Sequence, residues 1–195
     1  FQTQTRGAML GLIGGLGVAA ILTVVFARSE PAIRKIATGA LVLVVILVGG
    51  VFALKDAWFV KNTQSLNRLT TIFEQGGTGQ ARLWNWGIAW EGIKERPILG
   101  WGQSNYNFVY DKYFNSQMFE QEPWFDRTHN IILDWLIAGG FVGLILYLSI
   151  IISTIYLLWR RFSATVFEKS VISGLIIGYC IHNMFVFDHV VSYLW

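Results

Sequence analysis

The sequence predicts an all-α protein: a polytopic bundle of transmembrane helices carrying one long, partly helical external loop. Three observations predict it. Of 195 residues, 54% are apolar and 15% aromatic, and mean hydropathy is +0.49, a balance foreign to a water-soluble domain. Four apolar stretches, 7–27, 36–54, 135–159 and 171–187, each approach the roughly 20 residues that cross a bilayer core. Between the second and third lies a polar, aromatic segment, about 55–134, in which eight Lys and Arg face nine Asp and Glu. That balance leaves no basic patch for nucleic acid. The whole reads as a single transmembrane domain. It also reads as a piece of a longer protein, because no Met opens the chain and the last stretch stops abruptly. The single Cys180, inside an apolar run, excludes a disulfide framework or a cysteine metal site within the chain.

In the first stretch Gly7, Gly11 and Gly15 recur at the four-residue spacing that lets two helix backbones approach. The stretch is too long, and too weakly charged ahead of it, to be a cleaved signal. A connector with Arg28, Glu30, Arg34 and Lys35 leads to the second stretch, making an antiparallel pair. The connector before the last stretch carries Arg160, Arg161, Glu168 and Lys169. Both connectors carry positive excess, and both lie on one side if the four spans alternate. The positive-inside rule makes that side cytoplasmic and the long loop external. Within the last stretch, His182 and Asn183 are expected to face the bundle interior, where they either bond another span as satisfied packing contacts, the favoured reading, or line a cavity. His182 and His189 near Asp188 are weak as a metal set, and no metal is expected.

Inside the loop, Leu83, Trp86, Trp90 and Ile93 share one face of a helix that Pro97 ends, with Asn85, Glu91 and Lys94 elsewhere. The tryptophans suit a bilayer interface. Arg82 falls in the first turn, where backbone N–H groups and a guanidinium together make an anion site. Snorkelling to headgroups is the competing reading of that arginine. Gly100 and Gly102 mark a tight turn, and residues 107–125 read as a covering loop without regular structure. At Asp126-Arg127-Thr128-His129-Asn130 the loop becomes a helix. This places His129 in a first turn, where it either caps the helix or, kept neutral by the helix dipole, accepts a proton. Arg6, Arg82, His129 and Asn130 on one membrane face would suit chemistry on a phosphorylated lipid. The arginines would hold a diphosphate leaving group while the histidine takes a proton from an incoming hydroxyl.

Thr5-Arg6-Gly7-Ala8, Gly79-Gln80-Ala81-Arg82 through Trp90, Pro97 to Tyr106, and His129-Asn130 followed by Gly139, Gly140 and Gly143 together resemble the O-antigen ligase and polymerase superfamily of bacterial membrane proteins. The resemblance implies a GT-C-like inner-membrane glycosyltransferase, inverting, without metal or cofactor. It would take a glycan from an undecaprenyl-pyrophosphate-linked donor to the hydroxyl of a lipid or glycan acceptor, or of a protein serine or threonine, on the external side. It also implies that Arg6 and Arg82 bind the donor pyrophosphate, that His129 is catalytic, and that Asn130 holds backbone or sugar. Members usually have ten or more spans, so the four expected here would leave the lipid groove incomplete. Polymerisation of glycan repeats is the alternative reaction. A transporter or channel fragment is the alternative class, but it would call for matching Gly or Pro interruptions in paired spans, and no span contains Pro.

Overall fold

A computed structural model describes residues 6–70, 78–119 and 124–185, the side chains of Arg6, Arg68 and Thr78 apart. Its helices are α1 (Arg6–Phe26), α2 (Pro31–Ala53), α3 (Trp58–Asn62), α4 (Gln64–Thr70), α5 (Thr78–Glu95), α6 (Tyr106–Lys112), α7 (Ile131–Arg160) and α8 (Val166–Asn183), with a 3-10 turn at Ser116–Met118. Among the described residues there is no strand. Three helices among the described residues, α1, α2 and α7, are long and apolar enough to cross a membrane, and the chain is an all-α membrane protein. The fourth expected span rests on α8. Its residues 186 and 187 lie outside the described residues, as do Asp188 and His189. The chain forms two compact units, Phe1–Ile72 with Ser153–His182, and Phe73–Ile152 with Asn183–Trp195.

In the first unit, Pro31 starts α2 with the backbone angle that a first helical turn needs. The glycine spacing of α1 finds its partner on α8, which carries a matching pair. A Cβ on Gly15 would lie 2.7 Å from the Gly174 carbonyl, and one on Gly178 would lie 2.7 Å from that of Gly11, so backbone meets backbone along the seam. A capping box starts α8: Thr165 Oγ1 accepts from the Glu168 N–H at 3.2 Å, and Glu168 Oε2 accepts from the Thr165 N–H at 2.8 Å. Trp159 Nε1 donates to Ser173 Oγ at 2.9 Å, tying the end of α7 to α8. His182 is not the satisfied packing contact that the sequence predicts. It lines an apolar groove of about 360 Å³ between α1 and α8, and its Nδ1 is buried with no hydrogen-bond partner among the described residues.

In the second unit, α5 buries a face that shares only Ile93 with the apolar face its periodicity marks for the bilayer interface. Ala81, Asn85, Ile88, Ala89 and Ile93 are buried, whereas Leu83 and Trp90 are 57% and 51% exposed. Small residues set the contact, and at Gly92 a Cβ would collide with Val109 of α6. The expected covering loop in fact contains α6, whose Tyr106, Val109 and Tyr110 join Met118, Phe125, Leu136 and Ile137 in one core with the buried face of α5.

The largest departure is in α7, which breaks at Gly140 (φ 61°, ψ −159°). A straight helix would separate Trp135 from Tyr147 by about 18 Å of rise, yet their rings stack with centroids 5.1 Å apart. The arm 131–139 therefore folds back beside the arm 141–160, and only the second arm has the roughly 20 residues of a span. A break leaves backbone groups without helical partners, and in lipid each would cost several kcal/mol. Residues 97–102 supply the partners. The Trp101 and Gly102 N–H groups donate to the Ile137 and Ala138 carbonyls at 2.6 and 3.0 Å, while the Pro97 and Ile98 carbonyls accept from the Phe141 and Val142 N–H groups at 2.8 and 3.3 Å. Contact this close demands glycine on both sides. A Cβ on Gly140 would strike the Ile98 carbonyl, and one on Gly100 (φ 68°) would strike that of Ile137.

Candidate functional site

The junction before α7 is built around a residue in the left-handed region, His129 at φ 56°. Helix α7 begins at Ile131, so His129 is not in its first turn and does not cap it. The cap is Asn130, whose Oδ1 accepts from the N–H groups of Ile132 at 3.0 Å and Leu133 at 3.3 Å. Asn130 is buried and its side-chain oxygen is committed to the helix end. The dipole argument for His129 falls with its placement outside the helix.

A left-handed histidine costs about 1–2 kcal/mol, and surrounding contacts must hold it. They come from α5 and from α7 itself. Asn85 Nδ2 donates to the Arg127 carbonyl at 3.1 Å, and Trp86 Nε1 donates to the Thr128 carbonyl at 3.0 Å. Asp134 Oδ1 accepts from Thr128 N–H at 2.9 Å and from Thr128 Oγ1 at 2.7 Å. Tyr106 in turn donates its hydroxyl to Asn85, and burial pushes the phenol far above its ordinary pKa, so it stays a donor. The backbone on the N-terminal side of His129 is thus clamped by Asn85 and Trp86, remote in sequence, and by Asp134 from the helix that follows.

The imidazole itself is half-buried, with the Phe125 ring near-perpendicular to it at 5.3 Å between centroids, and its Nδ1 lies 3.3 Å from the Arg127 carbonyl. In the tautomer that donates through Nδ1–H, the lone pair is on Nε2, the form a proton acceptor needs. Arg82, half-buried, is the fifth residue of α5, beyond the first turn, so the helix-start N–H groups are not beside it in sequence as expected. It stands one turn before Asn85 and Trp86, on the helix that grips the His129 segment. Arg6 opens α1 in the other unit, and its side chain lies outside the described residues.

Sequence reasoning did not find Asn85, Trp86, Tyr106, Thr128 and Asp134 as site-shaping residues. A signal was present in Asn85, a single amide among the alanines, glycine and isoleucines of the α5 face that is buried. Compared with individual curated proteins, the chain matches none. Compared with family models, residues 1–148 match the model described as O-antigen ligase, a range that takes in α1, Arg82, the histidine junction and the Gly140 break. The chain belongs to the O-antigen ligase family of membrane glycosyltransferase-like proteins.

Proposed function

We propose that the full-length protein transfers a glycan from undecaprenyl pyrophosphate to an acceptor hydroxyl on the external side of the bacterial cytoplasmic membrane, with His129 as general base. The observation that carries this reading is the strained, clamped His129 one segment away from the arginine-bearing helix, within a family of glycan ligases. In the step, His129 Nε2 takes the acceptor hydroxyl proton as that oxygen attacks the anomeric carbon. The bond from that carbon to the pyrophosphate oxygen breaks, and the electron pair leaves with the lipid pyrophosphate. Attack opposite the leaving group inverts the anomeric centre. Arg82 offsets the charge that grows on the pyrophosphate. Polymerisation of glycan repeats uses the same step with a different acceptor.

The test is incubation of the purified full-length protein with a lipid-pyrophosphate-linked glycan and candidate hydroxyl acceptors, following free undecaprenyl pyrophosphate and the anomeric configuration of the product. An inverted glycosidic product with equimolar lipid pyrophosphate is expected. Retention of configuration, or no transfer to any hydroxyl, would overturn the proposal. Arg82→Lys should lose most turnover with charge retained, because an ammonium lacks the two-pronged match to pyrophosphate oxygens. Unchanged turnover in that variant would remove Arg82 from the site.

A further inference from the structure

The loop 97–102 is bonded into the break of a span helix, yet at its tip Ile98 and Leu99 are 66% and 72% exposed. Two bulky aliphatic side chains on an ordered turn are costly in water. Their level relative to the bilayer follows from the helix they dock on. The arm 141–160 ends at Trp159 and Arg160, an aromatic and basic pair of the kind that marks an interface. Counting about 20 residues, or about 30 Å, back along that arm puts the Gly140 elbow at the opposite boundary of the hydrocarbon. The first residues of the arm, Phe141 and Val142, are 49% and 44% exposed and receive the Pro97 and Ile98 carbonyls on their N–H groups. Ile98 therefore stands at the level where the helix surface turns apolar.

The neighbouring side chains fit the same level. Trp101 donates its indole N–H to the Gly92 carbonyl at 2.9 Å, the Arg96 guanidinium lies 4.2 Å from its ring centroid, and Lys112 Nζ lies 5.6 Å from it. A tryptophan flanked by cations suits the headgroup layer, where the ring is amphipathic and the charges meet lipid phosphates. Lys112 is also paired with Glu95 at 2.7 Å, leaving Arg96 as the cation of this group that no acidic side chain pairs among the described residues.

We infer that residues 97–102 form a shallow re-entrant turn whose Ile98 and Leu99 side chains are inserted among phospholipid acyl chains, in the leaflet at the elbow of α7, with Trp101 and Arg96 at the headgroups. The turn has two roles: it supplies the hydrogen bonds that a broken helix at the membrane boundary requires, and it anchors the long loop to the bilayer. The inference stands whichever reaction the protein performs.

The experiment places an environment-sensitive fluorophore on Leu99→Cys, Ile98→Cys or Gln103→Cys in full-length protein with Cys180→Ser, reconstituted in phospholipid nanodiscs with or without lipids that carry a quencher high on the acyl chain. Labels at 98 and 99 should emit in the blue and lose emission to quencher lipids, consistent with a depth of about 5–10 Å below the headgroups. The label at 103, on an exposed residue, should emit as in water. Water-like emission at both 98 and 99 would overturn the inference. So would blue emission that quencher lipids leave intact, because another protein segment, not lipid, would then cover the tip.

Discussion

His129 holds a backbone angle that glycine would adopt more cheaply, and the hydrogen bonds that enforce it come from Asn85, Trp86 and Asp134. Replacing Asn85 by leucine keeps the volume but removes one of the donors on the Arg127 carbonyl and the side-chain acceptor of the Tyr106 hydroxyl, at about 0.5–1.5 kcal/mol for each hydrogen bond lost. Thermal unfolding of Asn85→Leu should show that loss, together with reduced turnover. Asn130 provides a second check. Asn130→Ala should cost about 1 kcal/mol as a lost cap, while Asn130→Asp should keep the stability. If Asn130→Asp unfolds as readily as Asn130→Ala, the capping role is wrong. The pair His129 and Asn130 was legible in the sequence as a polar junction before a span. Their division of labour was not, because either side chain can cap a helix and only the observed start at Ile131 separates them.

Along the elements, hydrophobic periodicity marked an apolar face of α5 but not the face that packs. In a membrane protein a lipid-facing residue is as apolar as a core residue, and Leu83 and Trp90, on the face expected at the bilayer interface, are exposed while Ala81, Asn85 and Ala89 are buried. Small residues are the better marker of close packing, and the α1 glycines, read that way, did find their partners on α8. The glycines after the histidine were legible as a motif but not as a helix break, since the break exists only with residues 97–102 docked into it. The two adjacent glycines now separate. Gly140→Ala places a Cβ into the Ile98 carbonyl at a positive φ and should cost at least about 1–3 kcal/mol, with the 97–102 turn becoming accessible to protease. Gly139→Ala meets nothing within 4 Å and should be neutral, or stabilising by up to about 1 kcal/mol. Equal behaviour of the two variants in unfolding and proteolysis would contradict the elbow.

At the scale of the molecule, α1, α2 and α7 were legible as spans from length and apolarity, and the positive connectors at 28–35 and 160–169 are expected to orient them with the long loop external. In intact cells an impermeant thiol reagent should label Trp101→Cys and spare Arg34→Cys, and the reverse pattern would put His129 in the wrong compartment for an external donor. The catalytic claim rests on one residue of the full-length enzyme, and its pH–rate profile tests that claim most directly. With His129 as general base, wild-type turnover should rise along an acid limb and level off. His129→Gln should fall by roughly 100-fold to 10,000-fold, the usual contribution of one acid-base group, and lose that limb while donor binding is unchanged. A His129→Gln enzyme that keeps both the rate and the acid limb would contradict the account.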